Sequence, residues 1–202
     1  MWSRHRSTGP GGALITRLRL VRHGQTDWNA QGLIQGRQDI PLNDVGREQA
    51  SEAAGRLDGL RYSAIVSSPL SRAAETARII AAELGLASVE FEADLVEQEL
   101  GAAEGTPWAE LEEAFPGGAI PGIEPHKRLI ERAAAVLERI GRLHDGGNVV
   151  VVSHGALINA ITAHAARTRD QRPGPVANGS ISEIEVLGGR LELGSELIAE
   201  SS

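Results

Sequence analysis

Apolar residues along the chain keep two different rhythms. Leu14–Val21, Ala64–Ser67 and Val149–Val152 are compact apolar runs rich in branched side chains, and each predicts a strand. The last is an uninterrupted valine run, of the kind buried on both faces of a parallel sheet. Val89–Phe91 predicts a fourth, short strand. Between these runs the apolar positions recur with helical spacing. Asn43 or Asp44 can cap a helix ending near Gly59, with Ala50, Ala53, Ala54 and Leu57 on one face. Ser71–Leu84 predicts a helix stopped by Gly85. His126–Leu143 carries Leu129, Ala133, Val136, Leu137 and Ile140 on one stripe, and Ala156–Ala166 predicts a last helix. Ser180–Val186 and Arg190–Leu193, around Gly188-Gly189, predict a terminal hairpin.

The remaining segments have no sustained period. Residues 25–43 contain Gly32, Gly36 and Pro41 and read as a loop. Thr106-Pro107 offers a hydroxyl cap and a first-position proline for a helix over Trp108–Phe115. Pro116–Pro125 reads as a loop, and Pro173-Gly174-Pro175 breaks the chain again. Strands alternating with helices predict an α/β fold, a mostly parallel sheet flanked by helices on both faces. One domain is expected over 14–202, with a small helical and loop lid inserted at about 92–125. Residues 1–13 read as a mobile N-terminal tail.

Composition narrows the chemistry. A length of 202 residues suits one domain. The absence of cysteine excludes a disulfide scaffold, a thiolate zinc site, an iron–sulfur cluster and a cysteine nucleophile. A net charge of −7 with only 3% aromatics argues against a nucleic-acid surface, though a local pocket can still hold an anionic small molecule. No apolar run approaches the ~20 residues of a membrane span. No apolar stretch follows the basic start, so it does not read as a signal peptide, and the cytoplasm is the default location.

Two places share one pattern, an apolar strand followed by histidine and glycine: Leu20-Val21-Arg22-His23-Gly24 and Val151-Val152-Ser153-His154-Gly155. In open α/β sheets ligands bind beyond the carboxyl ends of strands, so neighbouring strands would bring the two rings together. Glycine after each histidine permits close approach of a substrate or of backbone. The alternative for either histidine alone is a packing or capping role. Arg22, at a strand end, presents a fork suited to phosphate or carboxylate. Arg72 falls in the first turn of a helix, where its charge opposes the helix dipole unless an anion is held there.

These residues lie in four ordered blocks: Arg22-His23-Gly24-Gln25-Thr26-Asp27-Trp28-Asn29 with Gln35-Gly36; Ser67-Ser68-Pro69-Leu70-Ser71-Arg72; Leu95-Val96-Glu97 with Gly101 and Glu104-Gly105; and Ser153-His154-Gly155. Together they resemble the signature of the histidine phosphatase superfamily, also called phosphoglycerate-mutase-like, from about residue 17 to 187. The resemblance implies that His23 is a nucleophile forming a phosphohistidine. It implies that Arg22, Arg72, Asn29 and His154 hold the phosphoryl oxygens, and that Glu97 gives a proton to the leaving oxygen. Two guanidiniums and an imidazolium would then supply the charge a metal provides elsewhere, so neither metal nor cofactor is expected. Gln35, Gly36 and Arg37 are candidate substrate contacts. The partner expected is a small phosphorylated molecule, not nucleic acid or a membrane.

Three readings remain: a phosphomonoesterase, a phosphoglycerate mutase, or a non-catalytic module that binds a phosphorylated ligand. From Leu100 to His126 there is no Lys or Arg, but there are Glu104, Glu110, Glu112, Glu113 and Glu124. Five carboxylates over the pocket would repel a second phosphate, which favours the phosphatase. The family often has arginine where this chain has Leu33, and its Gly-Glu-Ser step is only faintly echoed by Gly122-Ile123-Glu124-Pro125.

Overall fold

The computed structural model describes residues 14–166 and 176–194. The expected tail at 1–13 and the Pro173-Gly174-Pro175 break lie outside these residues. Six strands form one sheet: β1 (Ile15–Arg22), β2 (Ala64–Ser67), β3 (Glu90–Phe91), β4 (Asn148–Ser153), β5 (Ile181–Leu187) and β6 (Arg190–Leu193), in the order β3-β2-β4-β1-β5-β6. The pairs β1·β4, β2·β4 and β2·β3 are parallel. The hairpin β5–β6 adds two antiparallel strands against β1.

The side-chain alternation of the strands explains the valine run. Leu18, Leu20, Val66, Val149 and Val151 pack in one core with α5 (His126–Leu143) and α6 (Gly155–Ala166). Val21, Ile65, Val150 and Val152 pack in a second core with α2 (Asp44–Leu57) and α3 (Ser71–Glu83). Each valine of β4 therefore buries its side chain against a helix layer, at a gain of roughly 1.5–3 kcal/mol apiece. Helices thus cover both faces of a mostly parallel sheet. Register then fixes one edge: Arg22 pairs with Ser153, and Ser67 with Val152. The residues just past these three strand ends must meet.

Two expectations are corrected, one of a loop and one of a helix. Within 25–43 there is one α-helical turn, α1 (Asp27–Ala30), closed by a capping box. The Thr26 hydroxyl accepts from Asn29 N at 3.1 Å, and Asn29 Oδ1 accepts from Thr26 N at 3.2 Å. A single turn is too short to show a period. The helix expected over Trp108–Phe115 is instead a 3₁₀ turn, Trp108–Glu110, followed by the four-residue α4 (Leu111–Ala114), with no side-chain cap. The chain at 105–108 pairs with 32–34: Gly105 N donates to Ile34 O (2.8 Å), Ile34 N to Thr106 O (3.0 Å) and Trp108 N to Gly32 O (2.9 Å). Extended pairing of Thr106 and Pro107 replaces the cap they would have made. The rest of 92–125 is loop with 3₁₀ turns at Ala93–Leu95, Gly101–Ala103 and Pro116–Gly118.

Candidate active site

His23 and His154 follow the parallel neighbours β1 and β4, and their ring centroids lie 5.1 Å apart. His23 Nδ1 lies 2.7 Å from Gly24 O, an atom that can only accept. Arg72 Nε, which can only donate, lies 3.2 Å from His23 Nε2. The two partners assign one tautomer: Nδ1 carries the proton and Nε2 carries the lone pair. Burial, then the charges of Arg72 and Arg22, lower the His23 pKa well below the ordinary histidine value. Its imidazole is neutral at pH 7 and has the free electron pair a nucleophile needs.

Glycine after each histidine serves close approach, in two ways. A Cβ on Gly24 would lie 2.1 Å from Gly46 O, so the turn after β1 seats directly on the start of α2. A Cβ on Gly155 would lie 3.3 Å from the Arg22 guanidinium.

Arg72 is buried in the first turn of α3. Its Nη1 donates to Gln38 O at 2.7 Å and its Nη2 to Gly36 O at 2.9 Å. Carbonyl oxygens from the loop before α2 thus meet a charge that the helix dipole disfavours. Burial lowers its pKa to about 10, partly opposed by Glu97 and Asp39, so it remains a cation at pH 7. Arg22 Nη1 donates to Val176 O at 2.7 Å, while its buried Nε has no partner among the described residues. Asn29 Oδ1 accepts from Thr26 N and from Asn178 Nδ2, each at 3.2 Å, which leaves the Asn29 NH₂ as the group free to donate.

His154 is corrected in one respect. Burial, then Arg72 and His23, lower its pKa well below the ordinary value, so it is a neutral imidazole and not the imidazolium expected from the sequence. Its Nε2 lies 2.8 Å from Ser68 Oγ, and its Nδ1 has no partner among the described residues. It lies beside His23 but does not line the cavity itself.

Glu97 stands at the N-terminus of α6. Its Oε2 accepts from Ala156 N at 3.1 Å, and its Oε1 from Leu157 N at 3.2 Å. These otherwise orphan donors of a helix start fix the end of the Glu97 side chain in place. Arg22, His23, Arg72, Asn29, Gln35, Gly36 and Glu97 line a single cavity of about 350 Å³. Its further wall is Leu33, Gln98, Leu100, Trp108, Gly155, Ala156, Asn159 and Val176.

Arg37 does not line this cavity. Its guanidinium turns to Glu99 (3.3 Å) and Glu124 (3.5 Å), because the lid offers it carboxylates. Nor do the five lid glutamates face the cavity. Glu110, Glu112 and Glu113 are exposed. Glu104 accepts from Arg37 N and Gln38 Nε2, and Glu124 is buried against Arg132. The wall is therefore neutral, and the expected repulsion of a second phosphate by lid carboxylates is absent from it. Gln98 and Asn159 also line the cavity, although no sequence motif singled them out. Asn159 lies four residues after Gly155, one helical turn into α6, so helical spacing could have found it.

No group of three or more His, Cys, Asp or Glu among the described residues is placed to hold a metal ion. No helix among them is long and apolar enough to cross a membrane.

Comparison with known proteins accords with this geometry. The chain is 37% identical over 172 residues to the uncharacterized phosphatase PhoE of Bacillus subtilis (strain 168), covering 85% of this chain and 89% of the relative. It is 36% identical over 185 residues to a metal-independent phosphoserine phosphatase of Arabidopsis thaliana, covering 85% and 77%. The structure of a mycobacterial glucosyl-3-phosphoglycerate phosphatase with VO3 superposes with a TM-score of 0.74 at 30% identity, covering 83% and 90%. Proteins named as probable phosphoglycerate mutases are also similar to it. The model of the histidine phosphatase superfamily (branch 1) matches residues 18–195, and with four blocks of that family meeting in one cavity, the chain belongs to the histidine phosphatase superfamily.

Proposed function

We propose that the protein is a phosphomonoesterase that hydrolyses a small organic monophosphate through a phosphohistidine on His23. The observation that carries this reading is the fixed tautomer of His23, with its Nε2 lone pair facing Arg72 Nε in a cavity that Arg22 also lines. In the first step Nε2 attacks phosphorus in line and the ester P–O bond breaks. The departing oxygen takes a proton from Glu97 and leaves as the alcohol. The Gly24 carbonyl, already accepting from Nδ1, supports the positive charge that develops on the ring. Arg72 Nε turns its N–H from Nε2 to a phosphoryl oxygen. Arg22 Nε and the Asn29 amide donate to the others. In the second step water attacks the phosphohistidine, Glu97 takes a proton from that water, and the P–N bond breaks. Inorganic phosphate leaves and the Nε2 lone pair is restored.

The neutral wall favours hydrolysis over mutase chemistry. A mutase must retain a substrate with a second anionic group while it reorients. Among the described residues, the only cations lining this cavity are Arg22 and Arg72, both at the phosphoryl position. A non-catalytic binder would have no need of a nucleophile and a carboxyl lining one cavity with two arginines. Relatives named for phosphoserine and glucosyl-3-phosphoglycerate support a small organic phosphate as substrate. Independence from metal is supported by one relative's name and by the guanidinium pair.

The test is turnover in EDTA on a panel of phosphomonoesters, with interconversion of 2- and 3-phosphoglycerate followed beside it. Release of inorganic phosphate is expected, with an acid-labile, base-stable phosphoryl group on the wild type and none on His23→Ala. Mutase turnover faster than phosphate release, or equal labelling of His23→Ala, overturns the reading.

A further inference from the structure

Glu97 lies on a loop between two 3₁₀ turns, with no strand or helix of its own to place it. Its main chain is gripped from behind by Arg132 of α5. Arg132 Nη1 donates to Asp94 O and to Val96 O, each at 2.8 Å, and Nη2 donates to Glu97 O at 3.0 Å. The remaining donors of the fork go to one carboxylate: Nε to Glu124 Oε1 at 2.8 Å and Nη2 to Glu124 Oε2 at 2.9 Å. All five N–H groups of the guanidinium are thereby engaged. Arg37 closes the arrangement from the other side. Its Nε donates to Glu97 O at 3.2 Å, and its Nη2 reaches Glu124 Oε2 at 3.5 Å.

We propose that Glu124, bridging Arg132 and Arg37, is a positioning residue that holds Glu97 over the leaving-group oxygen. The proposal rests on the reading of Glu97 as proton donor. A buried ion pair is a poor source of stability, because desolvation offsets most of its attraction. The arrangement has a different use: it presents four arginine donations, three from Arg132 and one from Arg37, to carbonyls of the loop that carries Glu97. Glu124 itself is 6% exposed, and burial raises its pKa, but hydrogen bonding and charge from Arg132 outweigh this and leave it below the ordinary carboxylate value. It stays ionised at neutral pH and keeps both guanidiniums aimed. The carboxyl end of Glu97 is fixed separately, by Ala156 N and Leu157 N. Main chain and carboxyl are thus pinned at two points. The clamp also joins the two halves of the reaction. Arg37 adjoins Gly36, whose carbonyl holds Arg72, so the loop that orients the phosphoryl-binding arginine and the loop that carries the acid meet on one carboxylate.

A misplaced acid slows only those esters whose leaving group needs a proton. The experiment compares kcat/KM, which reports ester-bond cleavage, for an alkyl phosphate and for p-nitrophenyl phosphate. The variants are Glu124→Gln, Arg132→Lys, Glu97→Gln and the double variant Glu97→Gln/Glu124→Gln. Glu124→Gln and Arg132→Lys are each expected to lower the alkyl ester rate about 10-fold or more while p-nitrophenyl phosphate stays within about 2-fold. The inhibition constant for vanadate should not move. The double variant should be no slower than Glu97→Gln alone. Equal losses on both esters, or additive losses in the double variant, overturn the proposal and leave Glu97 as the acid. If Glu97→Gln itself treats the two esters alike, the acid assignment fails and the clamp falls with it. Arg132→Lys keeps the charge and supplies the same reading if Glu124→Gln does not fold.

Discussion

Arg22, His23 and Arg72 come from the end of β1 and the first turn of α3, whereas the rest of the wall, Leu33, Gln98, Leu100, Trp108 and Asn159, comes from loops, 3₁₀ turns and one exposed helix position. On the first side, polar groups are buried and oriented by main-chain carbonyls. On the second, the groups are neutral and several are open to solvent. On the proposed function, such a division would let one set of residues be rigid enough for phosphoryl transfer while the other adapts to the alcohol. Electrostatic stabilisation needs donors that do not reorganise during the reaction, and only a sheet edge backed by two cores provides that. Selectivity for a neutral or apolar body needs only contact area.

The largest effect should come from breaking the rigid side. Arg72→Ala removes the donor beside Nε2 and leaves Gly36 O and Gln38 O without their partner. We expect kcat to fall by ~10²–10³ and vanadate affinity to fall with it, consistent with loss of one fixed donor to the reacting group. Arg72→Lys should recover little, since an ammonium cannot bridge two carbonyls and the His23 ring together. Steady-state kinetics with vanadate inhibition checks both, and wild-type rates in the lysine variant would show that charge alone suffices.

A smaller effect should appear in the stability of the same side. Folding holds the His23 and His154 rings neutral, while in the unfolded chain such groups take up protons near pH 6.5. Below that pH the unfolded state binds more protons than the folded one, so stability declines as pH falls. The slope should approach roughly 1 kcal/mol per pH unit for each ring until the folded groups titrate. Urea midpoints between pH 7 and 5 measure it. His154→Asn should remove about half of the slope that the two rings supply, and an unchanged slope would mean that the rings are not held neutral.

The smallest effect should come from the neutral wall. Trp108 is 59% exposed yet lines the cavity. Trp108→Ala is expected to raise KM a few-fold for bulky esters, about 1 kcal/mol of lost contact, with little change in the vanadate constant or in melting temperature. An equal change for inorganic phosphate would place Trp108 among the phosphoryl-binding groups and erase the division.

Most of the cavity's rigid side was legible in the chain. Strand runs ending in Arg22-His23-Gly24 and Ser153-His154-Gly155 state their own position, because a buried strand in an α/β fold delivers its next residues to one edge. Glu97 was legible through the family pattern around it. Its supports were not, because Arg132 lies 35 residues away on α5 and Glu124 8 residues before Arg132. Arg37 and the lid glutamates were misassigned to the cavity for the same reason: the order of charges along a loop does not say which of them pair with each other.

Apolar period and turn residues determined the α/β fold, and the strand-end patterns placed Arg22, His23 and His154 at one edge of its sheet, since these depend on local conformation and on which face each side chain takes. Tertiary structure alone decided the rest. It decided that the His23 lone pair sits on Nε2, since that depends on Gly24 O and Arg72 being in place at once. It decided that His154 is neutral, since desolvation comes from the packing of the whole domain. And it decided that Glu124 turns to Arg132 and Arg37 and Glu104 to Arg37 N and Gln38, leaving the far wall of the cavity neutral, because pairing between segments far apart in sequence is settled only where the folded chain brings them together.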